Sequence, residues 1–338
     1  MAKKTFGIDF GTSTINVYKK NERDILIERS AVSLAGKEKK TVAIGEKAYE
    51  MYEKAPPSIR VSLPLQRGVV AHMEDMVALW DFMGVKISGK RKLNRCQFYI
   101  AVPADITEVE KKAYSQIITM SENKPQKVCL IDKPIADAYG LGLDVEKSRG
   151  ILIANLGADT TEISALSLGG IVTTKLIPFG GNDFDRAIQN YIRKKYNYII
   201  GLRTAEHIKI QLVTIGGDAA KVTVTGTDVL RGLPGEITIS SGEVFPLVRD
   251  IFYQMAAQIR SILEHTPPEI SSEIEHNGMY LTGGTSFIRG LDQFLANEIN
   301  IRVNTTSSAQ RTVVAGIGYL SEHARMAERY AVPLELNV

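Results

Sequence analysis

Only two cysteines occur in the 338 residues. Cys96 and Cys129 each lie in an apolar, strand-like run, CQFYIAV and VCLI, with no CxxC or histidine-rich context. A disulfide framework and a zinc site are set aside, and both residues are read as buried thiols of a reducing compartment. An excess of charge of one sign is missing too. The net charge is +3 with 23% charged residues, which gives no global basic field to draw in nucleic acid. No apolar run approaches the ~18 residues of a membrane span, and that of MAKKTFGIDF is too short for a secretion signal. The expectation is a cytoplasmic protein without a nucleic-acid partner. Low-complexity linkers are missing as well. What is present is 44% hydrophobic content in a chain long enough to split into two domains.

Strand-like runs alternate with helical patterns from end to end, which is α/β grammar. Thr107 and Glu110 form a capping box opening TEVEKKAYSQIITM. Asn182 is expected to cap DFDRAIQNYIRKKY, where Phe184, Ala187, Ile188, Tyr191 and Ile192 recur at helical spacing. A longer helix, VFPLVRDIFYQMAAQIRSILEH, stops at Thr266-Pro267-Pro268. KVTVTGTDVL and GEITIS alternate like two strands of a small antiparallel insertion.

One turn is written twice. Residues 5–18 read TFGIDFGTSTINVY and residues 151–166 read ILIANLGADTTEISAL, so that a shift of 146 lays Asp9 on Asn155, Gly11 on Gly157 and Thr14 on Thr160. This points to two related halves. In each stretch a strand ends at a glycine-bearing turn rich in hydroxyls, a setting in which backbone N–H groups face an anion such as phosphate. A plain hairpin is the alternative for either turn alone. A third site, GMYLTGGTSFIRGL, places Gly283, Gly284, Thr285 and Ser286 between a strand and a helix start, as nucleotide sites do. In TAEHIK, Thr204 is a candidate cap for a helix carrying Glu206 and Lys209 one turn apart, read either as a solvated ion pair or as a ribose and base clamp.

The order GIDFGTST, PADITEVEKKA, LIDKPIADAYGLGL, LGADTTEISALSLGGIV, FGGNDFDRAI, IGLRTAEHIKI and LTGGTSFIRGLDQFL resembles the MreB family of bacterial actins over nearly the whole chain. The turns are common to actin-like ATPases; SLGGIV, RTAEHIKI and SEIEHNGMYLTGG are similar to MreB in particular. The resemblance implies an α/β actin-like fold, two duplicated ribonuclease-H-like domains around a central cleft. Its four subdomains would be IA (1–28, 65–140, 310–338), IB (29–64), IIA (141–177, 240–309) and IIB (178–239). It implies ATP or ADP with magnesium, Asp9 serving the metal. Gly11, Thr12, Ser13 and Thr14 would hold the phosphates from one side and Gly157, Ala158, Asp159 and Thr160 from the other. Glu206 and Lys209 would flank the ribose, and Gly283, Gly284, Thr285 and Ser286 the adenine. The implied partners are further copies of the chain in a filament, other MreB paralogues, and an anionic membrane surface met by Lys86, Lys90, Arg91, Lys92 and Arg95 around Leu93.

Three positions depart from the family pattern. Asn155 stands where an aspartate is usual, Asp159 where a glycine is usual, and Lys133 where a glutamate precedes the proline of LIDKPIADAYG and positions water. With Asp9, these make the catalytic set Asp9, Lys133, Asn155 and Asp159. Lys133 is also anomalous by itself. It precedes Pro134, a natural helix start, and the helix dipole disfavours a cation there by ~0.3–1 kcal/mol. A γ-phosphate or Asp159 would offset that cost, unless the lysine bends into water. The expectation is an ATP-binding filament subunit of cell shape or motility with weak or absent hydrolysis. A small-molecule kinase would need an acidic base and insertions shaping an acceptor pocket, and no such insertion is evident. A heat-shock chaperone would need a substrate domain after the last nucleotide turn, where only TVVAGIGYLSEHARMAERYA and a short tail follow.

Overall fold

The computed structural model describes residues 4–20, 25–36, 40–89, 93–123, 125–217 and 219–332. Two sheets repeat one plan. In the first, strands Thr5–Phe10, Thr14–Lys19 and Leu26–Arg29 form an antiparallel meander, and Cys96–Val102 and Pro125–Asp132 add in parallel on the other side. In the second, the meander is Ile151–Leu156, Thr161–Ser167 and Gly170–Ile177, and the parallel additions are Met279–Thr282 and Val303–Asn304. A short strand, Ala331–Val332, closes the free edge of the first sheet. Each half carries a small three-stranded sheet, one built from residues 32–62 and one from residues 198–240. The latter contains the antiparallel insertion expected from KVTVTGTDVL and GEITIS.

The sequence repeat is a repeat of register. In the first hairpin Asp9 lies opposite Asn16, and the Gly11 N–H donates to the Thr14 carbonyl at 3.0 Å. In the second, Asn155 lies opposite Glu162, and the Gly157 N–H donates to the Thr160 carbonyl at 2.8 Å. A Cβ on Gly11 would meet that carbonyl oxygen at 2.7 Å, and one on Gly157 at 2.9 Å. Both turns need glycine for the same close approach.

Local signals hold with two corrections. The Thr107 capping box forms as read, and Ser240 with Glu243 makes a second one that starts the long helix Ser241–Glu264. Asn182 does not cap its helix: the N-cap is Gly180, whose N–H is held by the Asp183 carboxylate, and Asn182 instead donates its amide to Asp159. Thr204 does not cap either. Its helix, Leu202–Leu212, begins after Gly201. Both cysteines are buried free thiols. Of the basic segment, Lys90, Arg91 and Lys92 lie outside the described residues. Leu93 is core, 2% exposed, so it is not held out towards a bilayer, and Lys86 pairs with Glu28.

A central core lies between the two sheets, with Tyr99, Ile131, Ile153 and Leu166 packed around the helices Lys133–Gly140 and Thr312–Glu322. Each helix follows the fifth strand of its own half. They cross at glycines. A Cβ on Gly140 would sit 1.8 Å from the Thr312 carbonyl oxygen, and one on Gly316 1.7 Å from that of Ala136. Backbone rather than a side-chain tip is in the way, so the helices themselves must separate. Gly316→Ala is expected to cost about 3 kcal/mol or more, the upper end of overpacking; a urea midpoint equal to that of the wild type would show that the crossing tolerates a methyl group.

Candidate functional site

The two hairpin turns, the third turn at Gly283 and the helices Gly181–Tyr196 and Leu202–Leu212 enclose a cleft of about 600 Å³. It brings together Asp9, Gly11, Thr12, Ser13, Thr14, Lys133, Asn155, Gly157, Ala158, Thr160, Glu206, Lys209, Gly283, Gly284 and Thr285. Asp159 and Ser286 are not in that lining. The Asp159 carboxylate accepts from the Arg67 backbone N–H at 3.1 Å and from Asn182 at 3.0 Å, and faces Arg186 at 3.7 Å. It neither neutralises Lys133 nor restores the charge missing at Asn155. Ser286 folds its hydroxyl onto the Gly283 carbonyl and closes the third turn from within. The helix expected there begins only at Leu291, after a 3-10 turn over Gly284–Phe287. Gly283, at φ +81°, would bring a Cβ within 2.3 Å of the Leu156 carbonyl oxygen, and Thr285 donates to the Gly157 carbonyl at 2.8 Å. The second and third turns are thereby locked together.

Lys133 is the first residue of its helix, and Pro134 the second. Its ammonium lies 3.0 Å from Asp9 Oδ1, with the lysine side chain 16% and the aspartate 10% exposed. The partner that offsets the helix dipole is thus Asp9 on the first hairpin. Burial alone would lower the lysine pKa, but the charges of Asp9 and Glu162, the hydrogen bond to Asp9 and the charge of Asp137 outweigh it, and the pKa is raised. Lys133 is therefore a protonated cation at neutral pH and no proton acceptor.

Asn155 is occupied on its other side. Its amide donates to Asp137 Oδ2 at 2.7 Å, and Thr282 donates to the same oxygen at 2.6 Å. Asp137 is fully buried on the Lys133 helix, one turn further in, and burial raises its pKa against those hydrogen bonds. The acid missing at 155 has a counterpart across the hairpin, Glu162, which sequence reading overlooked although the shift of 146 from Asn16 leads straight to it. The Ala104 N–H donates to Glu162 at 2.7 Å. Burial lifts the Glu162 pKa to about 7, against the pull of that N–H and of Lys133.

Glu206 and Lys209 line the cleft but do not pair with one another. Glu206 faces Arg29 at 3.4 Å, and Lys209 binds Asp185 at 2.8 Å and the Gly181 carbonyl at 3.0 Å. Burial lifts Asp185 to about 6, opposed by Lys209. Arg29, also overlooked, donates to Ser13 at 2.8 Å and stacks 4.5 Å over the Tyr49 ring. No sequence spacing announces it, because it comes from the third strand of the first meander.

A hydrated magnesium ion keeps several of its waters and takes one or two protein carboxylates beside substrate phosphates. Here one Asp9 oxygen faces an ammonium, the other accepts from Asn16 at 3.4 Å, and position 155, its amide N–H turned to Asp137, offers a neutral amide oxygen in place of a carboxylate. Among the described residues, no three groups of His, Cys, Asp or Glu are placed to hold a metal. The donor set does not fit the magnesium expected through Asp9.

Duplicated five-strand sheets, a central pair of crossing helices and a cleft closed by the two equivalent hairpin turns define an actin-like fold. The family description for MreB/Mbl protein matches residues 3–329. The cell shape-determining protein Mbl of Bacillus subtilis is 34% identical over 96% of this chain and 97% of its own. MreB of Escherichia coli K12 is 31% identical over 94% of this chain and 93% of its own. The crystal structure of MreB5 of Spiroplasma citri bound to ADP superposes with a TM-score of 0.90 at 27% identity, over 97% of this chain and 99% of that one. The chain belongs to the MreB/Mbl family and is a bacterial actin.

Glu162 makes the site sensitive to pH. Its folded pKa of about 7 exceeds its ordinary 4.5. Between those values the folded state keeps a proton that the unfolded chain has released, so the contribution of Glu162 to stability falls as pH rises through the window. Glu162→Gln should therefore gain stability relative to the wild type on going from about pH 5 to pH 7. Parallel urea midpoints for the two proteins across that range would remove Glu162 as the source.

Proposed function

We propose that this chain is a cytoplasmic filament subunit that binds ATP or ADP in the cleft, assembles with further copies of itself and hydrolyses ATP weakly. The observation that carries the reading is the convergence of three glycine turns on one cleft whose base holds a protonated lysine. The two hairpin turns would grip the phosphates from opposite walls, Thr12, Ser13 and Thr14 facing Ala158 and Thr160. Glu206 would accept from ribose hydroxyls, with Lys209 beside it, and Gly283, Gly284 and Thr285 would pack against the base. MreB5, a relative of close fold, is bound to ADP, which supports a nucleotide here.

Weak hydrolysis follows from the proton balance. Attack by water needs a group that takes its proton. Lys133 is charged and cannot, and Asp9 is spent on Lys133. Glu206 faces Arg29. Among the described residues Glu162 alone of the carboxylates lining the cleft has no ion pair, and with one oxygen held by the Ala104 N–H it would serve at most as a substitute base from a different wall than the Lys133 helix, which leaves hydrolysis weak rather than absent. Losing a well-placed base typically costs ~10²–10⁴ in rate. Lys133→Glu with Asn155→Asp, and Asp137→Ala to remove the carboxylate facing Asn155, is expected to raise phosphate release by ~10² or more. An equal or lower rate in that variant would show that hydrolysis is not limited by the lysine.

Assembly is read from shape and surface. A heterologous contact between one end of a subunit and the other end of the next does not close, and yields a filament. Leu230 and Leu233, at the tip of the 221–240 hairpin, are 83% and 62% exposed, an apolar projection suited to such a contact. Nucleotide-dependent pelleting is expected, and Leu230→Ser with Leu233→Ser should raise the concentration needed for it. A wild type that stays monomeric with every nucleotide would overturn the filament reading.

Among the described residues no helix is long and apolar enough to cross a membrane. With Leu93 buried, contact with an anionic bilayer would rest on charge around residues 86–95, worth ~1 kcal/mol per basic residue and lost with salt. Liposome sedimentation that ignores ionic strength would exclude it. Other MreB paralogues are proposed as partners on family membership alone.

A further inference from the structure

We propose that the Lys133 ammonium does the work of a metal cation in this cleft, so that a nucleoside triphosphate binds without a divalent ion. The inference rests on the nucleotide reading above and goes beyond it by naming the charge carrier.

A cation between Asp9 and a polyphosphate has one task, to let two anions approach each other. Lys133 already stands in that place. Its ammonium is 3.0 Å from Asp9 Oδ1, its side chain is 16% exposed, and it lines the cleft together with both hairpin turns. An ammonium carries three N–H donors. Its contact with Asp9 Oδ1 is an ion pair, and N–H donors remain for phosphate oxygens on the open side. The position is fixed rather than opportunistic, because the lysine starts a helix whose far end is locked at Gly140 against the Thr312 backbone. Charge around it is arranged to keep it protonated, with Asp9, Glu162 and Asp137 all contributing.

The same arrangement works against a dication. Coulomb repulsion scales with the product of the charges, so a divalent ion beside Lys133 meets twice the repulsion that a second ammonium would. The anionic donors it would need are few: Asp9 faces Lys133 with one oxygen and Asn16 with the other, and position 155 offers a neutral amide oxygen instead of a carboxylate. Asp137, with no exposed surface, is sealed beneath Asn155 and Thr282 and offers no ligand to the cleft. Asn155 and Lys133 are thus two parts of one change. A neutral amide at 155 avoids a second carboxylate next to Asp137, and the lysine supplies the positive charge that this wall of the cleft would otherwise take from solution.

The test is calorimetric titration of the full chain with ATP, once in excess magnesium and once in excess EDTA. The expected result is a Kd that agrees between the two conditions within about threefold, whereas a loss of about tenfold or more in EDTA overturns the inference while leaving nucleotide binding intact. Absence of binding in both conditions overturns the nucleotide reading and this inference with it. Lys133→Met, checked for native circular dichroism, should weaken binding in EDTA by about tenfold or more; unchanged affinity in a folded variant overturns the role of the lysine. Should that variant not fold, Lys133→Arg, which keeps the charge, is expected to retain binding in EDTA, and its loss counts against the proposal.

Discussion

Two helices that touch through bare backbone set the geometry of this protein. At the crossing of Lys133–Gly140 with Thr312–Glu322, the closest approach is between glycine Cα and a carbonyl group, in both directions. At these two points backbone meets backbone, so the local separation of the helices is set by hard contact rather than by a side-chain rotamer. The sheets pack on either side of this pair, with Tyr99, Ile131 and Ile135 meeting Ile153, Leu166 and Val313 in one apolar layer. Because the first of the two helices begins at the cleft, the crossing also decides where Lys133 stands. A close-packed joint at the base and a buried cation at its edge are one construction.

Electrostatics at the base of the cleft follow from the duplication. Each hairpin places one acid and one amide across from each other, Asp9 with Asn16 and Asn155 with Glu162. The second half has the same pair with the strands exchanged. The acid is therefore displaced by one strand rather than lost, and its distance from the turn is the same in both halves. The lysine between them is held by carboxylates from the first hairpin, the second hairpin and its own helix. Such a buried cation is stable only with partners of this kind, since removing one leaves an uncompensated charge at a cost of roughly 3–5 kcal/mol.

Much of this was legible in the sequence. The repeat of TFGIDFGTST in ILIANLGADTT foretold both the doubled sheet and the facing turns, because a close carbonyl approach demands glycine at the same place in each copy. The capping box at Thr107 was legible for a local reason, its partner lying three residues away. Asn182 and Thr204 misled because an asparagine or threonine near a helix start is also a good donor to a distant partner, and for Asn182 a buried carboxylate won. What stayed hidden were contacts between elements far apart in the chain. Nothing local tells that Lys133 will meet Asp9, that Arg29 will reach Glu206, or that Asp159 will turn to Arg67 and away from the cleft. Leu93 misled in a similar way, since a lone leucine among basic residues reads as surface until its core neighbours arrive from other strands.

The rim of the cleft is built on the opposite principle from its base. On one side Arg29 reaches from Ser13 to Glu206, the Leu202 N–H donates to Glu53, and Arg203 lies 3.8 Å from Glu46. On the other, Arg67 donates to the Pro178 carbonyl and lies 3.3 Å from Asp183. These links join the two halves, and most of them are half exposed, where an ion pair is worth ~0–1 kcal/mol. The helix crossing is close-packed, whereas the mouth is held by a handful of weak surface bridges. A ligand that touched both hairpin turns would add its contacts to these weak links across the mouth. The small sheets at residues 32–62 and 198–240 flank these links, and the exposed Leu230 and Leu233 belong to the hairpin of the second.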